Sequence, residues 1–302
     1  MKKVFFALSL LTIVSCQSNA QKSEALKVDQ NIIDYWSDGT AELNSYDLEQ
    51  MRYGELRRGT HMQIFVAEDF LTKKQVKNES YKNKNSAWVL KRIETRQFLT
   101  GIYQYNMFTS AFTPFDVFHH PHSLKVSSSS QEWCGTTYAQ LNYKDKSYDY
   151  QLHSYFEKEA DDKTEIKNAL TEEEILTKIR FGESHLPKGT FNIIPSQIVT
   201  RFLHLPLKSY KAKAVISKYQ GQEFETKTKV YTLDIPDLKR TLKVFYTEDA
   251  PHTILGWDDS YMNPFGKDTI TSTARLKKQL KEKYWQRNSN ADQHLRLELG
   301  LD

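Results

Sequence analysis

Apolar and polar residues alternate with period two along much of the chain. In "THMQIFVAEDF", Met62, Ile64 and Val66 fall on one side, with Gln63 and Ala67 on the other. "TTYAQLNYKDKSYDYQLHSYF" alternates on both sides of a polar "KDKS" turn. In "TKVYTLDIPDLKRTLKVFYTED", Tyr231, Leu233 and Ile235 lead into Pro236-Asp237, and Leu242, Val244 and Tyr246 return. Successive strand side chains point to opposite faces, so this pattern predicts half-buried antiparallel strands, which also suit the many Tyr, Phe and Thr residues. "HTILGWDDSYM" follows directly as a further strand, making this region a meander. The lysine-rich "TKKQVKNESYKNKNS", residues 72–86, reads as a solvated loop between strands.

Two segments carry a helical period instead. "LTEEEILTKIRF" places Thr171 three residues ahead of Glu174, the spacing of a capping box, with Ile175, Leu176 and Ile179 along one face. "STARLKKQLKEKYWQ", residues 272–286, repeats Leu276, Leu280 and Tyr284 at intervals of four above a lysine-rich face. The expected fold is mainly β: an antiparallel sheet, curved or half-barrel in form, with a short central helix and a C-terminal amphipathic helix. No repeat or Pro/Gly/Ser linker divides it, so residues 31–302 read as one β-rich domain.

The N-terminus changes the setting. Lys2 and Lys3 precede a short apolar run that closes on Ile13-Val14-Ser15-Cys16. A run this short reads as a secretory leader over residues 1–15. A small residue directly before Cys16 resembles a lipobox, which makes Cys16 the expected lipidation site. Residues 16–30, polar and aperiodic, form the expected tether. Loss of Lys2 and Lys3 lowers the formal charge from +4 to +2, too balanced for a nucleic-acid partner. The expected partner is a membrane, engaged through N-terminal acyl chains. Gln17 after the anchor and a tether without an acidic cluster point to the periplasmic side of the outer membrane.

"YWSDGTAELNSYDLEQMRYGELRRG", "EDFLTKKQVKN", "TGIYQYNMFTS", "HSLKVSSSSQEWCGTTYAQLN" and "TLKVFYTEDAPHTILGWDDSY" together resemble a family of Bacteroidota lipoproteins. Its members often bear the label septum formation inhibitor of the Maf type. True Maf proteins are small nucleotide pyrophosphatases with a Ser-x-Ser-Pro-Arg-Arg opening, which is absent here. The resemblance implies an envelope lipoprotein and carries over no catalytic residue.

Candidate chemistry is sparse. The chain has no G-x-S-x-G elbow, phosphate-binding Gly loop, H-E-x-x-H or dinucleotide fingerprint, and no cofactor is expected. Cys134, flanked by Trp133 and Gly135, is the candidate nucleophile, with His153 as its base. The expected alternative is a packed strand or strand-end thiol. His119, His120 and His122 form the candidate metal cluster, offering imidazole nitrogens of the kind zinc takes. Ser127 to Ser130 read as half-exposed strand positions. Asp258-Asp259 and Glu68-Asp69 are adjacent pairs that a strand sends to opposite faces, so neither shares one site. The expected role is non-enzymatic binding of an apolar ligand or lipid. Binding of other envelope proteins, or hydrolysis through Cys134, stand as alternatives.

Overall fold

The computed structural model describes residues 27–301. The leader, Cys16 and most of the expected tether lie outside the described residues. Val28, assigned by sequence to that tether, is buried in the core. Strand makes up 53% and helix 15% of the structure, so the mainly β expectation holds.

The first element among the described residues is α1 (Gln30–Trp36), capped by Asp29, whose carboxylate accepts the Asn31 N–H at 2.8 Å. Nine strands follow: β1 (Ala41–Arg52), β2 (Glu55–Leu71), β3 (Val76–Lys77), β4 (Ser86–Thr100), β5 (Tyr103–Pro114), β6 (Lys125–Glu132), β7 (Gly135–Lys144), β8 (Ser147–Ser154) and β9 (Asp162–Lys167). β10 (Leu170–Thr171) leads into α2 (Glu172–Phe181), and β11 (Gly189–Ile194) into α3 (Gln197–Leu203). β12 (Tyr210–Lys218), β13 (Thr228–Ile235), β14 (Arg240–Thr247), β15 (Ile254–Met262) and β16 (Thr269–Glu282) complete the meander before α4 (His294–Glu298).

All strands join one sheet, in the order 10-11-12-13-14-15-16-1-2-4-5-6-7-8-9, with β3 pairing only with the end of β2. Every pairing is antiparallel except β10 with β11. The predicted hairpins appear: Tyr231 faces Val244, Leu233 faces Leu242, and β7 meets β8 through the Asp145-Lys146 turn.

The sheet is strongly curled without closing into a barrel. Its edge strands β9 and β10 are separated in the chain only by Asn168 and Ala169, so the two edges lie within the reach of a very short link. The Arg96 guanidinium on β4 sits 4.5 Å from the Trp257 ring on β15. Those strands are four positions apart, about 19 Å on a flat sheet. Gly59 on β2 permits one close approach: a Cβ there would meet the Gln97 carbonyl oxygen at 2.1 Å. The inside is filled by α1, α2 and α3, which bury Trp36, Ile175, Ile179 and Phe202 against Tyr46, Phe65, Tyr105 and Leu233.

The amphipathic helix expected over 272–286 is absent. β16 runs through most of that segment, paired on both sides by β1 and β15. An interval of four is close to a helical turn but is also an even number, so Leu276, Leu280 and Tyr284 suit one strand face equally well. The β1–β16 register then shifts at Lys277, a bulge that turns Leu276 to the inner core and Leu280 to an outer cluster. The C-terminal helix is α4, further on. Its neighbours Leu299 and Leu301 cover Ala41, Leu43, Met62 and Val66 on the outer face of β1 and β2. The capping box is also unformed: Thr171 is the N-cap of α2, but its side chain makes no capping bond.

Candidate functional site

The N-terminus of α2 places three consecutive glutamates inside the protein, each bound to a different element. Glu172 accepts two bonds from Arg240, at 2.6 and 2.7 Å, and the Ser196 N–H at 3.1 Å. Glu173 accepts the Gln197 N–H at 2.9 Å. Glu174 accepts from the Ser123 N–H at 2.7 Å and from Lys178 at 2.9 Å, and lies 3.1 Å from the His122 ring. Carboxylates at a helix N-terminus are favoured by its dipole, and here they also fix α2 to β14, to α3 and to the loop after β5. At the other end, Arg180 forms a two-pronged pair with Glu42 and lies over the Trp36 and Phe65 rings.

Around Glu172 and Glu173 lies a buried ionic network. Arg240 also binds Asp259, with Nε to Oδ1 at 2.7 Å. On β4, period two puts Arg92, Glu94 and Arg96 on the inner face, with Glu94 bonded to both arginines at 2.7 and 2.8 Å. Burial opposes the Arg240 charge, but Asp259 and Glu172 outweigh it and hold its pKa well above the usual value. Burial likewise opposes the Glu94 charge, and Arg96 and Arg92 outweigh it, lowering that carboxyl. Glu173 has no such partner: burial pushes it up to about 7, and its Oε2 has no hydrogen bond. His61, at the network's edge, is lowered by burial to about 3 and stays neutral. The cleft here encloses about 30 Å³, room for water only.

A larger cavity of about 270 Å³ opens between β5–β8 and α3. It exists because inner positions of β6 and β7 are short. Ser128, Ser130, Thr137 and Ala139 stand where the rest of the sheet turns Tyr, Phe and Leu inward. Met107, Tyr150, Leu152 and Leu207 give the cavity apolar surface, while Gln197, Thr200, Arg201 and His204 line it from α3 and the turn after it. Lys158 and Glu159, from the β8–β9 connection, and Asp162, at the start of β9, complete the wall. Glu159 lies 2.6 Å from the His204 ring and 3.9 Å from Arg201, and Arg201 lies 3.5 Å from Glu132. Several buried polar atoms on this wall have no partner: both ends of the Gln197 amide, Ser130 Oγ and Arg201 Nε.

The residues singled out by sequence do not converge. Cys134 lies in the β6–β7 turn and is exposed, which corrects the expectation of a packed thiol. Its N–H bonds the Glu132 carboxylate at 2.7 Å, and that same carboxylate raises the thiol pKa, opposite to what a nucleophile needs. His153 pairs with Asp161 at 3.2 Å and stands across the ladder from Tyr138. His119 turns to Asp116 at 2.7 Å and His122 to Glu174, and they share no ligand with His120. Among the described residues, no group of three or more His, Cys, Asp or Glu is placed to hold a metal ion. Asp258 and Asp259 diverge as expected, Asp258 to Arg275 and Asp259 to Arg240. Ser128 and Ser130 face the cavity and are buried; Ser127 and Ser129 are half-buried.

Sequence reasoning missed Arg92, Glu94, Arg96, Glu172, Glu173, Arg240 and the Gln197 group, and it read Asp259 only as half of a diverging acid pair. For some of them a signal was present. Arg240 shares the parity of Leu242 and Val244, and Asp259 that of Trp257 and Tyr261, so each is a charge placed on an apolar face.

Antiparallel alternation also brings the tips of several hairpins to one rim. Tyr53, Ile102, Trp133 and Phe265 lie in or beside these turns, with Tyr155 just after β8; Ile102 is 85%, Trp133 73% and Tyr155 74% exposed. Tyr53 contacts Phe265, and Tyr103 contacts Trp133, with ring centres 5.6 and 6.2 Å apart. No helix among the described residues is long and apolar enough to cross a membrane.

No family model and no curated protein matches the sequence. Among solved structures, a porin-like protein from Bacteroides uniformis ATCC 8492 aligns over 79% of this chain and 95% of its own, at 9% identity and a TM-score of 0.20. A likeness at that score carries no argument about fold or role.

Proposed function

We propose that this chain is a non-enzymatic lipoprotein of the cell envelope, held to a membrane by acyl chains on Cys16, that binds a small ligand in the cavity between β5–β8 and α3. One observation carries the binding reading: a cavity of about 270 Å³ whose wall mixes apolar side chains with polar and charged ones from α3 and the β8–β9 connection. The apolar surface from Met107, Leu152 and Leu207 supports a ligand that also presents an apolar face. The leader ending at Cys16 and the resemblance to Bacteroidota lipoproteins support the envelope setting. The test is mass spectrometry of small molecules released on denaturing the membrane-extracted protein. We expect one compound recovered in near-equimolar amount from the wild type and lost from Ala139→Phe, which fills the cavity. Equal recovery from both, or none from either, overturns the binding reading.

The aromatic rim supports a second reading, docking to another envelope protein. Trp133→Ser with Ile102→Ser then abolishes a specific cross-linked partner without changing the melting temperature. An unchanged cross-linking pattern removes it.

A further inference from the structure

β9 ends the sheet and pairs only with β8. The Asn168 N–H continues that ladder to the Lys146 carbonyl at 3.2 Å. Alternation along an antiparallel strand then turns the backbone groups of Asp162, Thr164 and Ile166 to β8, and those of Lys163, Glu165 and Lys167 to the free edge. Among the described residues, no other element takes up these edge groups. Asp162, Lys163, Thr164 and Glu165 are exposed on both faces of the strand, and the Glu165 and Lys167 side chains are 49% and 70% exposed. A second chain can therefore reach this edge, and the charges along it select which chain. Edge lysines ordinarily repel a copy of the same strand, but here Lys163 and Lys167 alternate with Glu165 on the outer face. We infer that two copies of this chain pair β9 with β9, antiparallel, about a two-fold axis through Thr164. An axis perpendicular to the sheet keeps outer face beside outer face, so odd-numbered residues meet odd-numbered ones. Two registers then overlap most of the strand. Centred on Thr164, Lys163 of each copy stands opposite Glu165 of the other. Centred on Glu165, that carboxylate meets its own copy and Lys163 meets Lys167. Opposite charges across an antiparallel pair attract and like charges repel, which selects the first register. In it, the edge N–H and C=O groups of Lys163 and Glu165 make about four hydrogen bonds across the axis, and the two Thr164 residues form a non-hydrogen-bonded pair with Cα atoms about 4.5 Å apart. A strand this short makes an interface below the size of permanent dimers, so the association is reversible.

The experiment uses the full chain in detergent with Cys134→Ser as the parent, mildly oxidised with copper phenanthroline and followed on non-reducing gels. Thr164→Cys on this background is expected to form a disulfide-linked dimer, because the Cα separation on the axis is within disulfide reach. Glu165→Cys stays monomeric, since its copy is displaced by two residues along the strand and lies beyond that reach, and the parent also stays monomeric. Adding Lys163→Glu to Thr164→Cys slows linking about tenfold or more, because two attractive pairs become repulsive. Lys163→Glu together with Glu165→Lys restores the rate to within about threefold, because the pairs are exchanged and not lost. All variants keep the parent melting temperature, since every altered side chain is exposed. No linking of Thr164→Cys, or Glu165→Cys linking as fast, overturns the pairing. Linking that Lys163→Glu leaves unchanged, or that the charge exchange fails to restore, overturns the selection of a second copy by charge.

Discussion

Glu173→Gln tests the buried network at its weakest member. Glu173 is 3% exposed, accepts one backbone N–H, and has an orphaned second oxygen, and burial lifts its pKa from 4.5 to about 7. The folded-state value lies above the unfolded one, so folding takes up a proton in that interval. The stability tied to the protonated form is whole below about pH 4.5 and is lost as the pH climbs through about 7. At 1.36 kcal/mol per pKa unit, the loss at pH 8 is about 3 kcal/mol. Glutamine keeps the acceptor for the Gln197 N–H and cannot ionise, so the variant escapes the loss. We expect Glu173→Gln to match the wild type near pH 4.5 and to exceed it at pH 8 by about 3 kcal/mol in urea unfolding. With an unfolding entropy of about 2.1 cal/mol/K per residue, that is roughly 5 °C in melting temperature. His61, held neutral by burial, loses stability as the pH falls below its usual 6.5, which pulls the wild-type curve the other way. The comparison is therefore the difference between the two proteins at each pH. An advantage that does not grow with pH, or a wild type more stable at pH 8, refutes the assignment.

Arg240→Met leaves Glu172 and Asp259 buried without their shared cation, and we expect a loss of about 3–5 kcal/mol in chemical denaturation; a loss below about 1 kcal/mol contradicts the network. Cys16→Ala should move the protein from the membrane to the soluble fraction and abolish labelling by a palmitate analogue, whereas continued labelling rules out the anchor. Cys134 should react with iodoacetamide slowly at pH 7 and faster as the pH rises past its raised pKa, with Cys134→Ser unchanged in melting temperature; rapid alkylation at pH 6 reverses that reading. Truncation after Glu282 removes Leu299 and Leu301 from Met62 and Val66, and we expect increased binding of a hydrophobic dye, with unchanged dye binding contradicting the role of α4 as a cover.

The sheet was legible where period two was clean. Tyr231, Leu233 and Ile235 pair with Val244, Leu242 and Arg240 as the alternation requires. It misled where two periods coincide, as at Leu276, Leu280 and Tyr284, because hydrogen-bonding partners on both sides and a bulge, neither visible locally, decide between helix and strand. The cavity left less trace. Its floor comes from short residues on β6 and β7, its wall from α3, and its rim from the β8–β9 connection. Only the curl of the whole sheet brings Ser130 and Gln197 to one space. The serine run read correctly as strand, but nothing nearby in the chain shows that its inward members Ser128 and Ser130 open a cavity.

The pairing of β1 with β16, which joins Ala41 to Glu282, bears on how the chain is made. A polypeptide delivered N-terminus first presents β1 early, and β2 covers one of its edges at once. The other edge has no partner until the last strand of the sheet has been delivered. An unpaired strand edge recruits other chains, and contacts this distant in sequence form slowly. For most of its delivery the protein is therefore an open ribbon of hairpins. A chain cut short before β16 yields no smaller version of the fold, only that ribbon with its adhesive margin exposed. The bare edge of β1 is therefore the mark of an incomplete molecule, and only pairing with β16 removes it.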